Sequence, residues 1–170
     1  VPAFDQSVSR QVMEAALEGR AVGVVTARSA GLDVMVVDAG IDGGPVAGCE
    51  LARPEDVRGD LVNTPAMTTA DVRRLVTRGR ELGARAAERG VVCLGEIGIG
   101  NTTIASALAC VFTGITPEQA AGIGAGSDAK MVEHKAEVLR AIFARTDITA
   151  LRADPALALA EVGGPEFAVL

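Results

Sequence analysis

One segment of the sequence carries residues whose types and spacing suit chemistry on a phosphate-bearing ligand. It reads LGEIGIGNTTIASAL over residues 94–108, and it predicts a strand, a glycine turn and the start of a helix. The unpaired N–H groups and the positive dipole end of a helix N-terminus attract anions. Gly98 and Gly100 allow a ligand to approach the backbone closely, while Asn101 and Thr102 offer an amide and a hydroxyl.

The segment also holds a carboxylate, Glu96, at the carboxyl end of the predicted strand, where open parallel sheets bind ligands. It matches neither common phosphate fingerprint. Thr103 stands where G-x-G-x-x-G requires Gly or Ala, and no lysine follows the last glycine as in a Walker loop. Two interpretations stay open, a phosphate cradle and a tight strand-to-helix turn. Glu96 alone is equally compatible with a catalytic role and with a solvated or capping one.

Two short apolar runs are the strands that would position this segment. Residues 32–38 and 91–96 each read as a buried parallel strand that ends in a turn. Asp38, at the end of the first run, either faces the site or caps the turn. Residues 40–66 show no periodicity and hold several glycines and prolines, so we predict a functional loop there.

Helices are predicted around these strands from capping residues, apolar spacing and terminal glycines. The first begins at Ser7 or Ser9, and the second covers about 21–30 before Gly31. Further helix starts are expected at Thr68 or Thr69, Asn101 or Thr102, Thr116-Pro117, Ser127 or Asp128, Asp154-Pro155 and Gly164-Pro165.

These elements predict an α/β fold in which a parallel sheet carries helices on both faces, as in Rossmann-like proteins. Two strands are too few for such a sheet, because parallel sheets are normally larger. We therefore expect residues 1–170 to be a single, partial domain of a larger α/β protein, with segments absent at both ends.

Composition narrows the classes of function and partner. The 170 residues carry a net charge of −6, which disfavours nucleic acid and anionic membranes as partners. The chain has 20 glycines, no Trp, no Tyr and four Phe, so its core must be mainly aliphatic and its helices must pack closely. One His and three scattered Cys do not form a zinc pattern and predict a reduced, cytoplasmic protein without a metal.

At this point the motifs resemble a known family. GEIGIGNTT is similar to the signature of the nicotinate-nucleotide:5,6-dimethylbenzimidazole phosphoribosyltransferases, which make the lower ligand of cobalamin. The similarity continues in order through VVDAGIDG, TPAMTTADVRRLVTRGRELGARAAERGV, GAGSDAKMVEHKAEVLRA and DPALALAEVGGPEFAVL. It covers nearly the whole chain, although the Glu-to-Thr-Thr motif is its most specific part.

The resemblance implies a reaction, a set of substrates and an assembly. Family members transfer the phosphoribosyl group of nicotinate mononucleotide to a benzimidazole nitrogen, giving α-ribazole 5′-phosphate with inversion at the anomeric carbon. They need neither metal nor cofactor for this chemistry, and they pair as homodimers. The general base of the family is a Glu in a glycine-rich C-terminal segment, which we expect to lie beyond residue 170.

The resemblance also implies roles for individual residues. Glu96 would lie beside the reacting centre, and Ile97 would pack on the base pocket. Lys135 matches a family lysine near the phosphate, although an exposed helix cation is the alternative. Gln11 corresponds weakly to a benzimidazole-pocket residue. The nucleotide cradle would comprise Gly98, Gly100, Asn101 and Thr102.

The sequence departs from the family pattern at two points, and two other classes of function stay open. The second glycine loop is shorter than in the family, and Ala125 replaces a frequent Arg. A noncatalytic nucleotide-binding module would keep the cradle but would not depend on Glu96. Half of a dinucleotide-dependent dehydrogenase is the weaker alternative, because no acidic residue follows at the end of a next strand.

Overall fold

A computed structural model of the chain describes residues 4–56, 59–124 and 128–170. These residues are mostly helical, with one small sheet. The elements in chain order are α1 (Ser7–Leu17), α2 (Val22–Ser29), β1 (Val37–Asp38), β2 (Glu50–Leu51), α3 (Thr69–Ala87), α4 (Asn101–Thr113), α5 (Pro117–Ala120), α6 (Ala129–Arg145), α7 (Ile148–Ala153), α8 (Pro155–Val162) and α9 (Pro165–Val169).

The helix starts confirm most of the capping predictions. Thr68 and Asp128 accept hydrogen bonds from the backbone N–H groups of Asp71 and Met131, respectively. Thr116 forms a capping box with Gln119 ahead of Pro117. The first helix is different, because Gln6 precedes it without a capping side chain and the Ser7 N–H donates instead to the Asp5 carboxylate at 2.9 Å. Helix α7, with Asp147 as its cap, was not predicted.

The sheet is smaller than predicted. Strands β1 and β2 are parallel, with Val37 opposite Glu50. Strand β2 lies inside the segment that was predicted to be a functional loop, and Arg78 of α3 holds it through a 2.7 Å ion pair with Glu50. The strand predicted at 91–96 is wrong within the described residues, because a strand needs a neighbour to complete its hydrogen bonds. Val91 and Leu94 are 84% and 70% exposed there.

The loop after β1 is organised around a buried carboxylate. Asp38 is fully buried and accepts hydrogen bonds from the backbone N–H groups of Gly40 and Val46 at 2.9 and 3.1 Å. The guanidinium of Arg53 donates to both carboxylate oxygens at 2.9 and 2.8 Å. Burial raises the pKa of Asp38, but these hydrogen bonds outweigh it and hold that pKa below its ordinary value. Asp38 therefore caps the turn.

Aliphatic side chains form the core, as the composition predicted. One cluster joins α4, α6, α7 and α8, and a second joins α3 to α8 and α9. The largest fully buried hydrophobic side chains include Leu75, Leu139, Ile142 and Leu151. Helices α3 and α9 are so close that a Cβ on Gly79 would lie 2.0 Å from the Val169 carbonyl oxygen. This core fixes the N-terminus of α4 relative to α6.

Two further observations concern the surface and the thiols. Among the described residues, no helix combines the length and the apolar character that crossing a membrane requires. Cys49, Cys93 and Cys110 are all free thiols.

Candidate functional site

The glycine turn leads directly into α4, whose first residue has no side-chain cap among the described residues. Helix α4 begins at Asn101, as predicted, and is preceded by Gly100 with φ 94°. That left-handed conformation favours glycine. Among the described residues no side chain caps the helix, and the N–H groups of Asn101 and Thr103 bond to the carbonyl oxygens of Gly98 and Gly100. The positive dipole end of the helix therefore faces the turn without an acidic cap, which favours an anion there. The turn is also tight at Gly98, where a Cβ would lie 2.4 Å from the Asn101 amide nitrogen.

Asn101 links the helix start to the carboxylate of the motif. Its side-chain amide donates a hydrogen bond to the Glu96 carboxylate, and Asn101 itself is 8% exposed. A buried amide with a fixed partner holds the more exposed carboxylate in one orientation. The structure thus brings Glu96 and Asn101 together beside the open end of α4.

Lys135 lies at the same helix end. It belongs to α6 and is only 6% exposed. Its Nζ donates to Thr102 Oγ1 at 3.0 Å and to the carbonyl oxygen of Gly122 at 3.3 Å. The alternative of an exposed helix cation is therefore wrong. Within the described part of the chain, no carboxylate pairs with Lys135.

Two predicted residues are not joined to this group. Ile97 is 64% exposed, so most of its side chain faces solvent. Gln11 is exposed on α1, and no hydrogen bond of the described residues connects it to the motif. His134, adjacent to Lys135, lies on the exposed surface of α6, with its Nδ1 3.1 Å from a carboxylate oxygen of Glu137. Ala125 lies outside the described residues.

One contact of the site was missed from the sequence. The N–H of Ile99, inside the glycine turn, donates to the Ser9 hydroxyl oxygen at 3.1 Å, and Ser9 is 9% exposed. The two residues are 90 positions apart, and Ser9 was interpreted only as a possible helix cap. No local pattern in the sequence indicates such a contact.

The arrangement can bind an anion and place a carboxylate next to it. A buried lysine, a threonine hydroxyl and an uncapped helix end surround one point, and the glycines leave the backbone accessible. These are the donors that bind phosphate groups in proteins. Together with the parallel β1–β2 pair, they describe an α/β protein with a candidate anion site at the start of α4.

Comparisons with known proteins agree with this class. Residues 1–170 match the family model described as phosphoribosyltransferase. Nicotinate-nucleotide–dimethylbenzimidazole phosphoribosyltransferases from Solidesulfovibrio magneticus and Pseudomonas putida are each 38% identical to the whole chain. The chain therefore belongs to the nicotinate-nucleotide–dimethylbenzimidazole phosphoribosyltransferase family.

Solved structures support the same assignment. The crystal structure of CobT from Thermus thermophilus has a TM-score of 0.87 and 33% identity over 99% of this chain. A second structure of the phosphoribosyltransferase from that organism has a TM-score of 0.82 and 32% identity. The chain spans about half the length of the curated relatives it matches, 49% of each of the two named above. It also covers 51% and 50% of the two solved chains.

Proposed function

We propose that this chain contributes the nucleotide-binding part of an enzyme that transfers phosphoribose from nicotinate mononucleotide to 5,6-dimethylbenzimidazole. The products are α-ribazole 5′-phosphate and nicotinate, and the reaction supplies the lower ligand of cobalamin. Membership of the family and the names of its relatives support this substrate pair. The region of residues 96–102, with Lys135, is the site in which we place the nucleotide.

The observation that carries the proposal is the buried Lys135 beside Thr102. A buried ammonium without a carboxylate is costly, because it loses hydration and gains only neutral hydrogen bonds. A phosphate monoester would supply the missing negative charge and could accept further bonds from Thr102 and the start of α4. We therefore assign Lys135 and Thr102 to the 5′-phosphate of the nucleotide.

The reaction develops positive charge at a centre that a carboxylate can stabilise. The bond from the anomeric carbon to the pyridine nitrogen breaks, and its electron pair stays with nicotinate, whose ring changes from a cation to a neutral base. Positive charge then develops on the ribose. The benzimidazole nitrogen forms the new bond with its lone pair on the opposite face, and the azole later loses its N–H proton.

We assign Glu96 to the charge on the ribose. A carboxylate fixed near an oxocarbenium-like centre stabilises it electrostatically, and the Asn101 amide provides that fixation. Gly98 and Gly100 would admit the sugar close to the backbone, and Ile97 would contact the base. The resemblance assigns the azole proton to another glutamate, in the part of the relatives' length that this chain does not span.

The remaining expectations extend the proposal. We propose a role for Gln11 in the benzimidazole pocket, a homodimeric assembly and a cytoplasmic location, with no cofactor and no nucleic-acid or membrane partner. A net charge of −6 repels anionic substrates, so their binding requires a cation at the site. Lys135 is such a cation.

Binding of nicotinate mononucleotide by the full-length gene product tests the proposal. Lys135→Met should raise the dissociation constant measured by calorimetry about tenfold or more, since it removes a charge-assisted hydrogen bond. Lys130→Met is the matched control, because Lys130 is exposed on the same helix. Equal affinities for the two variants would contradict the phosphate assignment.

A further inference from the structure

We infer that Ser9 is a positioning residue for the nucleotide site, acting through the peptide between Gly98 and Ile99. Its hydroxyl oxygen accepts the Ile99 N–H at 3.1 Å, and the side chain is 9% exposed. Ser9 lies in the first turns of α1, far from the motif in sequence. The inference deepens the proposed function and rests on it.

The contact is the long-range restraint on the glycine turn. The turn's other hydrogen bonds are local, from Asn101 N to the Gly98 carbonyl at 3.4 Å and from Thr103 N to the Gly100 carbonyl at 2.9 Å. Among the hydrogen bonds of residues 4–56, 59–124 and 128–170, the bond to Ser9 is the one that connects residues 96–100 to a distant element. Glycine-rich segments have high backbone freedom, so one external bond has a large effect on them.

The bond controls more than one atom because a peptide group is planar. The Ile99 N–H and the Gly98 carbonyl belong to the same peptide, and that carbonyl accepts the N–H of Asn101. Asn101 in turn donates to Glu96 through its side chain. Orientation therefore passes from Ser9 through one peptide plane to the helix start, and from there to the carboxylate.

Helix α1 is itself held in place next to Ser9. The neighbouring Arg10 donates from Nη2 to the carbonyl oxygens of Gly43 and Gly44 at 2.8 and 2.6 Å. Those carbonyls belong to the loop that follows β1 and surrounds Asp38. Two consecutive residues of α1 thus connect the β1 loop and the glycine turn, which gives the Ser9 hydroxyl a fixed location.

The test compares three variants of the full-length gene product. Ser9→Ala removes the acceptor, Ser9→Thr keeps a hydroxyl, and Ser29→Ala removes an exposed hydroxyl that donates to the Val25 carbonyl within α2. Ser9→Ala should accelerate amide hydrogen exchange in the peptide that contains Ile99, and should raise the dissociation constant for nicotinate mononucleotide about fivefold. Ser9→Thr should stay within about twofold of the wild type, as should Ser29→Ala.

The outcomes separate this inference from the proposed function. If Ser9→Ala matches Ser29→Ala in exchange and in affinity, the inference is wrong. If Ser9→Ala and Ser9→Thr are equally impaired, packing rather than the hydroxyl matters, and the inference is again wrong. If the wild type itself binds no nicotinate mononucleotide, the proposed function fails. The exchange of the Ile99 amide then decides alone whether Ser9 holds the turn.

Discussion

Lys135 Nζ lies 3.0 Å from Thr102 Oγ1, which connects the buried face of α6 to the first turn of α4. The contact places a cation at the helix end where the backbone dipole is also positive. Two positive features at one point oppose each other unless an anion is bound there. The pair therefore connects the packing of two helices to the proposed nucleotide site.

Thr102→Val tests the hydroxyl half of this pair. The change is nearly isosteric, and it leaves Lys135 with the Gly122 carbonyl as its described partner. We expect affinity for nicotinate mononucleotide to fall about threefold to tenfold, measured by calorimetry on the full-length product. Thr113→Val is the control, because that hydroxyl bonds to Ala109 within the same helix and is exposed. Similar losses in both variants would argue against a role for the Thr102 hydroxyl.

Gly100→Ala tests the conformation of the turn. A Cβ at Gly100 meets no atom of the described residues within 4 Å, so the destabilisation comes from the backbone at φ 94°. We expect the free energy of unfolding in urea to fall by roughly 1 to 2 kcal/mol. Gly83→Ala is the matched control inside α3, where a Cβ likewise meets no described atom within 4 Å, and it should stabilise the fold by about 0.5 to 1 kcal/mol. Changes of the same sign in both variants would contradict the assigned turn.

Asp38 makes the stability depend on pH in a defined direction. Burial raises its pKa, but hydrogen bonds from Gly40 and Arg53 outweigh it, so the folded pKa lies below the ordinary 3.8. A carboxylate with a depressed folded pKa stabilises fully above its unfolded pKa, and the stabilisation disappears as the pH falls through the folded value. Asp38→Asn should therefore lower the free energy of unfolding by about 3 kcal/mol or more at pH 7, because it removes the carboxylate that pairs with Arg53.

The measurement is urea unfolding of the wild type and Asp38→Asn between pH 7 and pH 2.5. The difference between their free energies of unfolding should be constant above about pH 5 and should narrow below about pH 4. Asp42→Asn serves as the control, because Asp42 is exposed in the same loop. A difference that stays constant down to the lowest pH would show that the carboxylate charge of Asp38 is not what stabilises the loop.

Local chemistry made much of the fold predictable. Thr68, Thr116 and Asp128 mark the starts of their helices in the sequence. A capping side chain accepts its hydrogen bond from an N–H within the next three residues, so the signal is local. The start of α4 at Asn101 was predictable for a similar reason, since the glycines before it mark the turn. The resemblance to the family then led to the prediction that a nucleotide binds at the start of α4, and this stays a prediction.

Long-range pairing was beyond local patterns. The run at 91–96 has a strand's composition, yet a strand exists only where a neighbour completes its hydrogen bonds. Strand β2 was missed because two residues carry no periodicity, and Arg78 of α3 holds the strand in place. The Ser9 contact joins positions 90 apart, and the burial of Lys135 depends on how α6 packs against α4. Tertiary structure alone decides such relationships.

The most direct test of the account is turnover of nicotinate mononucleotide and 5,6-dimethylbenzimidazole by the full-length gene product, with products separated by mass-resolved chromatography. Glu96→Gln is assayed in parallel, with Glu133→Gln on the exposed face of α6 as the control. We predict that the wild type forms α-ribazole 5′-phosphate and nicotinate in a one-to-one ratio. Glu133→Gln should form both products at the same rate as the wild type. Glu96→Gln should lose about a hundredfold or more in kcat while still binding the nucleotide. Nucleotide binding without any product from the wild type would contradict the account and would indicate a noncatalytic binding module.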